Sequence, residues 1–158
     1  MTEVRWLDEQ EQHAWRALLE LCSRVLDGTD SDVVDFGLSG PDYEVLVHLS
    51  EAEGHGLRMS QLASRVLISR SRLTYRVDRM EERGLVVREH CETDRRGFIA
   101  RLTPAGLELL GRVAPHHVSG VRDRIVDRLD RDEFLTLGRL AAKVLGHDLV
   151  DQGVGDRS

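Results

Sequence analysis

The sequence predicts a mainly α-helical chain with one small β-hairpin set past its middle. Three observations carry this. Apolar residues recur at helical spacing over most of the length. Two short β-rich runs, Leu85–Cys91 and Phe98–Leu102, are joined by the polar stretch Glu92-Thr-Asp-Arg-Arg-Gly97. The two helical segments before the hairpin are separated by a turn of only a few residues. A length of 158 residues suits one domain with a real core, and 41% apolar with 32% charged residues is an ordinary globular balance. No apolar run approaches the ~18 residues a membrane span needs. The polar, acidic start Met1-Thr-Glu-Val-Arg-Trp-Leu is no signal peptide, which leads us to expect a cytoplasmic protein without a membrane partner. Cys22 and Cys91 are too few for a disulfide framework.

The elements follow in order. Ala14, Leu18, Leu21 and Val25 give a first helix over roughly 7–27, with Gly28 as its stop. Pro41 opens a second helix at its first turn, with Tyr43, Leu46, Val47 and Leu49 as its apolar positions, and Glu53-Gly-His-Gly56 breaks it. Ser60 reads as the N-cap of a short third helix carrying Leu62, Ala63 and Val66. After a tight turn at Leu67-Ile68, Ser69 caps a fourth helix running to Arg83, with Gly84 as its left-handed terminator. Beyond the hairpin, Thr103-Pro104 starts a fifth helix, bent at Pro115, with Leu107, Leu110, Val113, Val118, Val121 and Ile125 as apolar positions. Asp130 or Asp132 opens a sixth through Phe134, Leu137, Leu140, Ala141 and Val144, and 147–158 is expected to fray. Two short helices, a tight turn and a following hairpin make a winged helix-turn-helix.

The net charge of −6 argues at first against a nucleic-acid partner. Its distribution points the other way. Between Arg58 and Arg101 eleven arginines face six acids, a surplus of five positive charges that leaves −11 for the rest of the chain. A basic middle between acidic ends marks a localised anion-binding face. On a helical wheel Leu73, Val77 and Met80 of the fourth helix share a narrow arc, while Arg72, Arg76, Arg79 and Arg83 form a second stripe beside it. Such a helix is shaped for the major groove of double-stranded DNA, where arginine bonds guanine bidentately. Ser69, Ser71 and the free N–H groups of the helix start can bond phosphates or base edges. Ser60, Gln61, Arg70, Thr74 and Tyr75 complete the candidate contact set. At the hairpin tip, Arg95 or Arg96 can enter a narrow minor groove, with Asp94 placed to orient Arg96.

These residues resemble the MarR family of bacterial regulators. The resemblance is carried by Met59-Ser-Gln-Leu-Ala63, by the stretch from Ser69 to Val86, by Asp94-Arg-Arg96 followed by Leu102-Thr-Pro-Ala-Gly106, and by Leu38-Ser-Gly-Pro-Asp-Tyr43. Leu67 departs from the pattern, since such turns often carry glycine. The resemblance implies a single domain in which helices over 7–27 and 103–146 interlock two subunits, with a winged helix-turn-helix lobe over 41–102. It implies a homodimer binding a pseudo-palindromic operator, usually as a repressor. The terminal helices independently carry more apolar surface than one small winged domain should bury.

The resemblance also implies release by a small aromatic or anionic effector bound between the dimerisation helices and the lobe. Trp15, Arg16, Tyr43, His48 and His117 are the candidate lining, and core or interface packing is the competing account of Trp6, Trp15 and Tyr43. Cys22 invites thiol-based redox sensing, but beside Leu18, Leu21 and Val25 it reads as a small buried hydrophobe. His90, Cys91, His116 and His117 lack metal-ligand spacing, so no metal or cofactor is expected. No nucleophile motif, phosphate loop or carboxylate pair suggests an enzyme. The competing class is a winged-helix protein-interaction module, which has no use for arginine on both helix and wing.

Overall fold

The computed structural model describes residues 4–66, 68–91 and 94–146, with the side chains of 94–96 outside that description. The turn residue Leu67, the wing-tip side chains of Asp94, Arg95 and Arg96, and the tail over 147–158 therefore lie outside the described residues. Among the described residues, six α-helices and three strands follow one another as α1 Glu9–Val33, α2 Gly40–Glu51, β1 Gly56–Arg58, α3 Met59–Arg65, α4 Arg70–Glu82, β2 Val86–Cys91, β3 Asp94–Leu102, α5 Pro104–Arg124 and α6 Arg131–Leu145.

Local chemistry sets most of these boundaries. The Asp8 carboxylate accepts the Glu11 N–H at 2.8 Å while Glu11 accepts the Asp8 N–H, a reciprocal cap that starts α1. Ser39 and Asp42 do the same for α2, and Asp130 and Glu133 for α6. Ser69 caps α4, and Gly84 ends it at φ 70°. Three expectations are corrected. Gly28 does not stop α1, which continues to Val33. A Cβ at Gly28 would collide with the Arg124 side chain of α5, so this glycine makes room for that side chain against α1. Helix α3 starts at Met59, with Arg58 rather than Ser60 in the cap position and Gln61 Oε1 accepting the Arg58 N–H at 3.2 Å. The third strand, β1, pairs Leu57 with Ala100 of the central strand β3, giving the order β1-β3-β2.

The core sits between α2, α3, α4, the sheet and the first half of α5. Leu46, Leu49, Leu62, Val77 and Val113 are fully buried there, with Leu73, Met80 and Val86 at 1% exposure. The Leu102-Thr-Pro-Ala-Gly106 element is the hinge of this arrangement. Thr103 Oγ1 accepts the Gly106 N–H at 3.1 Å and lies 2.7 Å from the Gly84 carbonyl, to which it donates. Gly106 lies so close to the Leu85 carbonyl that a Cβ would overlap it. The terminal helices are different: α1 buries only Val33 and α6 only Ala142. Leu18, one of the apolar positions that predicted α1, is 47% exposed.

Gly106→Ala should therefore destabilise the fold by about 2 kcal/mol or more through overlap with a backbone atom. Gly111→Ala, in open space on the same helix, should be neutral or stabilise by up to about 1 kcal/mol. Urea unfolding of the two variants checks this, and equal midpoints would contradict the packing described.

Candidate nucleic-acid interface

Helix α4 is amphipathic in an unusual sense, burying one narrow apolar stripe and surrounding it with arginine. Leu73, Val77 and Met80 are 1%, 0% and 1% exposed. They fix the rotation of the helix, and so which side chains point outward. Ser69, Arg70, Ser71, Arg72, Thr74, Tyr75 and Arg79 are exposed, Tyr75 at 65%. At the helix start, Ser69 Oγ accepts the Arg72 N–H at 3.4 Å and lies 3.2 Å from Ser71 Oγ. Thr74 Oγ1 donates back to the Arg70 carbonyl at 3.0 Å.

The arginine stripe divides in two. Arg76 donates from Nη1 to Ser39 Oγ at 2.6 Å and to Asp42 Oδ1 at 2.9 Å. Arg83 donates from Nη1 to the Gly37 carbonyl at 2.6 Å. Both therefore tie α4 to the loop and cap that begin α2. Arg79 lies 3.6 Å from Glu82 and is 65% exposed, and no described side chain partners the Arg72 guanidinium. The wheel contains the reason, since at about 100° per residue Arg76 falls about 40° from Met80, against about 80° for Arg72 and about 100° for Arg79. The arginine nearest the buried stripe is the one drawn inward.

Between α4 and the sheet runs an open groove of about 460 Å³ lined by Arg58, Ser60, Arg70, Thr74, Arg88 and Phe98, among others. Ser60 is at the start of α3 and exposed, and Gln61 follows it with its side chain turned back to cap the helix. The rings of His90 and Phe98 stack at 4.5 Å on the wing. Sequence reasoning missed the part played by Arg88. It bonds Asp78 and Glu81, and its backbone and side-chain donors hold the Glu81 carboxyl below the usual range.

The effector candidates do not converge within one chain. Trp15, 52% exposed, and Arg16 lie on the N-terminal half of α1. Tyr43 is buried and its ring meets His117 at 4.6 Å, where His117 Nδ1 is 3.3 Å from Asp32 Oδ2. Seventeen residues of helix separate Trp15 from Asp32, about 25 Å. His48 is half-buried and about 140° around α2 from Tyr43. Burial lowers its pKa against the opposing field of Glu51, with Arg65 adding to the lowering. Cys22 is corrected from buried to exposed, because nothing in the described chain covers that face of α1.

Helix-turn-helix, arginine-faced second helix and three-stranded wing together define a winged-helix DNA-binding fold. A family model described as MarR family matches residues 36–97, from the turn before α2 to the wing. The regulator PecS of Dickeya dadantii is 32% identical over 128 residues, covering 80% of this chain and 75% of that one. AbsC, a MarR-family regulator from Streptomyces coelicolor, superposes with a TM-score of 0.84 at 46% identity, covering 90% of this chain and 96% of that one. A second MarR-family regulator of that organism, solved in complex with DNA, gives 0.87 at 40% identity over 92% and 91%. The chain belongs to the MarR family of transcriptional regulators.

Arg76→Ala should cost about 1–3 kcal/mol of folding stability, because Ser39 and Asp42 lose a charged donor that is itself half-buried. Arg72→Ala should leave stability within about 0.5 kcal/mol. Urea midpoints that fail to separate the two would refute this division of the stripe.

Proposed function

We propose that the protein binds double-stranded DNA sequence-specifically as a homodimer, with α4 in the major groove and the wing on the flanking minor groove. The observation that supports this most is the exposed face of α4. Ser69, Ser71, Arg72, Tyr75 and Arg79 point away from the core, along a helix whose rotation is fixed by three buried side chains. Helix dimensions and arginine chemistry fit the major groove. A neighbour at 40% identity was solved in complex with DNA, which supports DNA as the ligand. Arg95 and Arg96, with Asp94 orienting the second, are the wing contacts of this reading, and Ser60, Gln61, Arg70 and Thr74 border the groove beside them.

Exposed apolar side chains point to a second copy. Trp15, Leu18, Leu19 and Leu26 on α1, and Leu140, Val144 and Leu145 on α6, are each between 47% and 86% exposed. A chain working alone rarely leaves so much apolar surface in water. Two-fold pairing through helices over 7–27 and 103–146 would cover it and present two α4 helices to a pseudo-palindromic operator. Repression is the outcome we assign, in the cytoplasm, where that operator is found. A small aromatic or anionic effector, bound among Trp15, Arg16, Tyr43, His48 and His117 once both copies are present, would act by favouring one spacing of the two α4 helices.

Fluorescence anisotropy of labelled duplex DNA tests the central reading. Affinity should fall steeply as salt rises, because displaced counterions drive binding to phosphates. Arg72→Ala should cost about 1–3 kcal/mol at one base position while leaving the salt slope nearly intact. Salt-insensitive binding, or none across a library of duplexes, would favour a protein-interaction module instead. Sedimentation tests the pairing: Leu140→Asp should convert a dimer to a monomer and abolish tight duplex binding. A Leu140→Asp dimer would place the interface elsewhere.

A further inference from the structure

Contact with nucleic acid does not explain one charged cluster beside the α4 face. Asp78 and Glu81 stand three residues apart on one side of α4, where like charges repel. Arg88 reaches across from β2 and meets both. Its Nη1 lies 2.6 Å from Asp78 Oδ1, while Nε and Nη2 donate to Glu81 Oε2 at 2.9 and 2.7 Å. The remaining oxygen, Glu81 Oε1, accepts the Arg88 backbone N–H at 2.9 Å. The peptide of β2 is thus fastened to α4 along with the side chain. One cation shared by two carboxylates leaves the cluster net negative, so Arg88 is poorly suited to hold a phosphate.

We propose that Arg88, with Asp78 and Glu81, is a positioning clamp for DNA recognition, setting the angle between α4 and the wing. Helix and wing then reach their two grooves as one rigid unit. This rests on the DNA-binding reading of α4. The need for such a clamp follows from leverage. The chain passes from α4 to β2 through Arg83, Gly84 and Leu85 alone, and the six residues of β2 extend about 20 Å. A swing of about 10° at the base would carry the wing tip about 3.5 Å, more than the reach of a hydrogen bond. Arg88 lies close to the base, and its contacts with two successive turns of α4 oppose that swing.

The sign of a charge change separates this role from general electrostatics. The double variant Asp78→Asn/Glu81→Gln removes two negative charges next to the DNA face, so counterion release alone predicts tighter binding. The clamp predicts binding about tenfold weaker. The probe is the duplex that the wild-type protein enriches from a random pool, followed by anisotropy and hydroxyl-radical footprinting. Protection should persist over the bases under α4 and be lost over the flanking bases under the wing. Arg88→Gln should give the same footprint. Should either variant fail to fold by circular dichroism, the isosteric single variant Glu81→Gln carries the test, with the same direction and a smaller loss. Equal or tighter binding with a full footprint overturns the clamp and leaves DNA binding intact. No duplex binding by the wild-type protein overturns both.

Discussion

Three side chains on α4, Leu73, Val77 and Met80, go into the core, and the rest of the molecule is arranged around that insertion. Each such burial contributes about 1.5–3 kcal/mol as an upper estimate. The helix itself is otherwise polar and would gain little by forming alone. Packing of the stripe against the core shared by α2, α3 and α5 fixes the helix in rotation. Arg76 and Arg83 then hold it to the cap of α2 and the loop before it. What remains outward is an arginine-bearing surface with Tyr75 and two serines. The proposed DNA-binding face is thus the remainder left by core packing.

Much of this was legible in the sequence because it rests on short-range chemistry. A cap, a proline at a first turn, or a glycine with positive φ acts over a few residues, so Pro41, Ser69, Gly84 and Thr103 could be read directly. The apolar arc of α4 was legible for the same reason. Long-range partners were not. Gly28 looks like a stop because glycine usually is one, yet here it admits Arg124 from a helix almost a hundred residues away. Strand β1 is three residues next to a turn, and only pairing with β3 makes it a strand. The clamp at Arg88 depends on a wing that folds back onto α4, which no local pattern reveals. Arg76 is intermediate, since its wheel angle hinted at burial but its acceptor lies 34 residues earlier.

The two ends of the chain follow another logic. Helix α6 opens with a complete capping box and ends on a left-handed glycine, yet Ala142 is its only buried residue. Helix α1 is likewise well formed and poorly covered. A single chain leaves them largely uncovered, and the proposed pairing with a second copy would supply that burial. The junction of Asp32, Tyr43, His117 and Arg124 joins α1 to α2 and α5. A shift there would alter the separation of two α4 helices in a pair. On the proposed reading, that would be the physical route from a bound effector to DNA affinity.

Selection of duplexes from a random pool is the decisive experiment, because it reads the α4 face and the pairing at once. An inverted repeat should be enriched, its half-sites about one helical turn, or 10 base pairs, apart. Enrichment of a single asymmetric site, or no enrichment at all, would contradict both the outward α4 face as reader and the two-fold pairing that presents it.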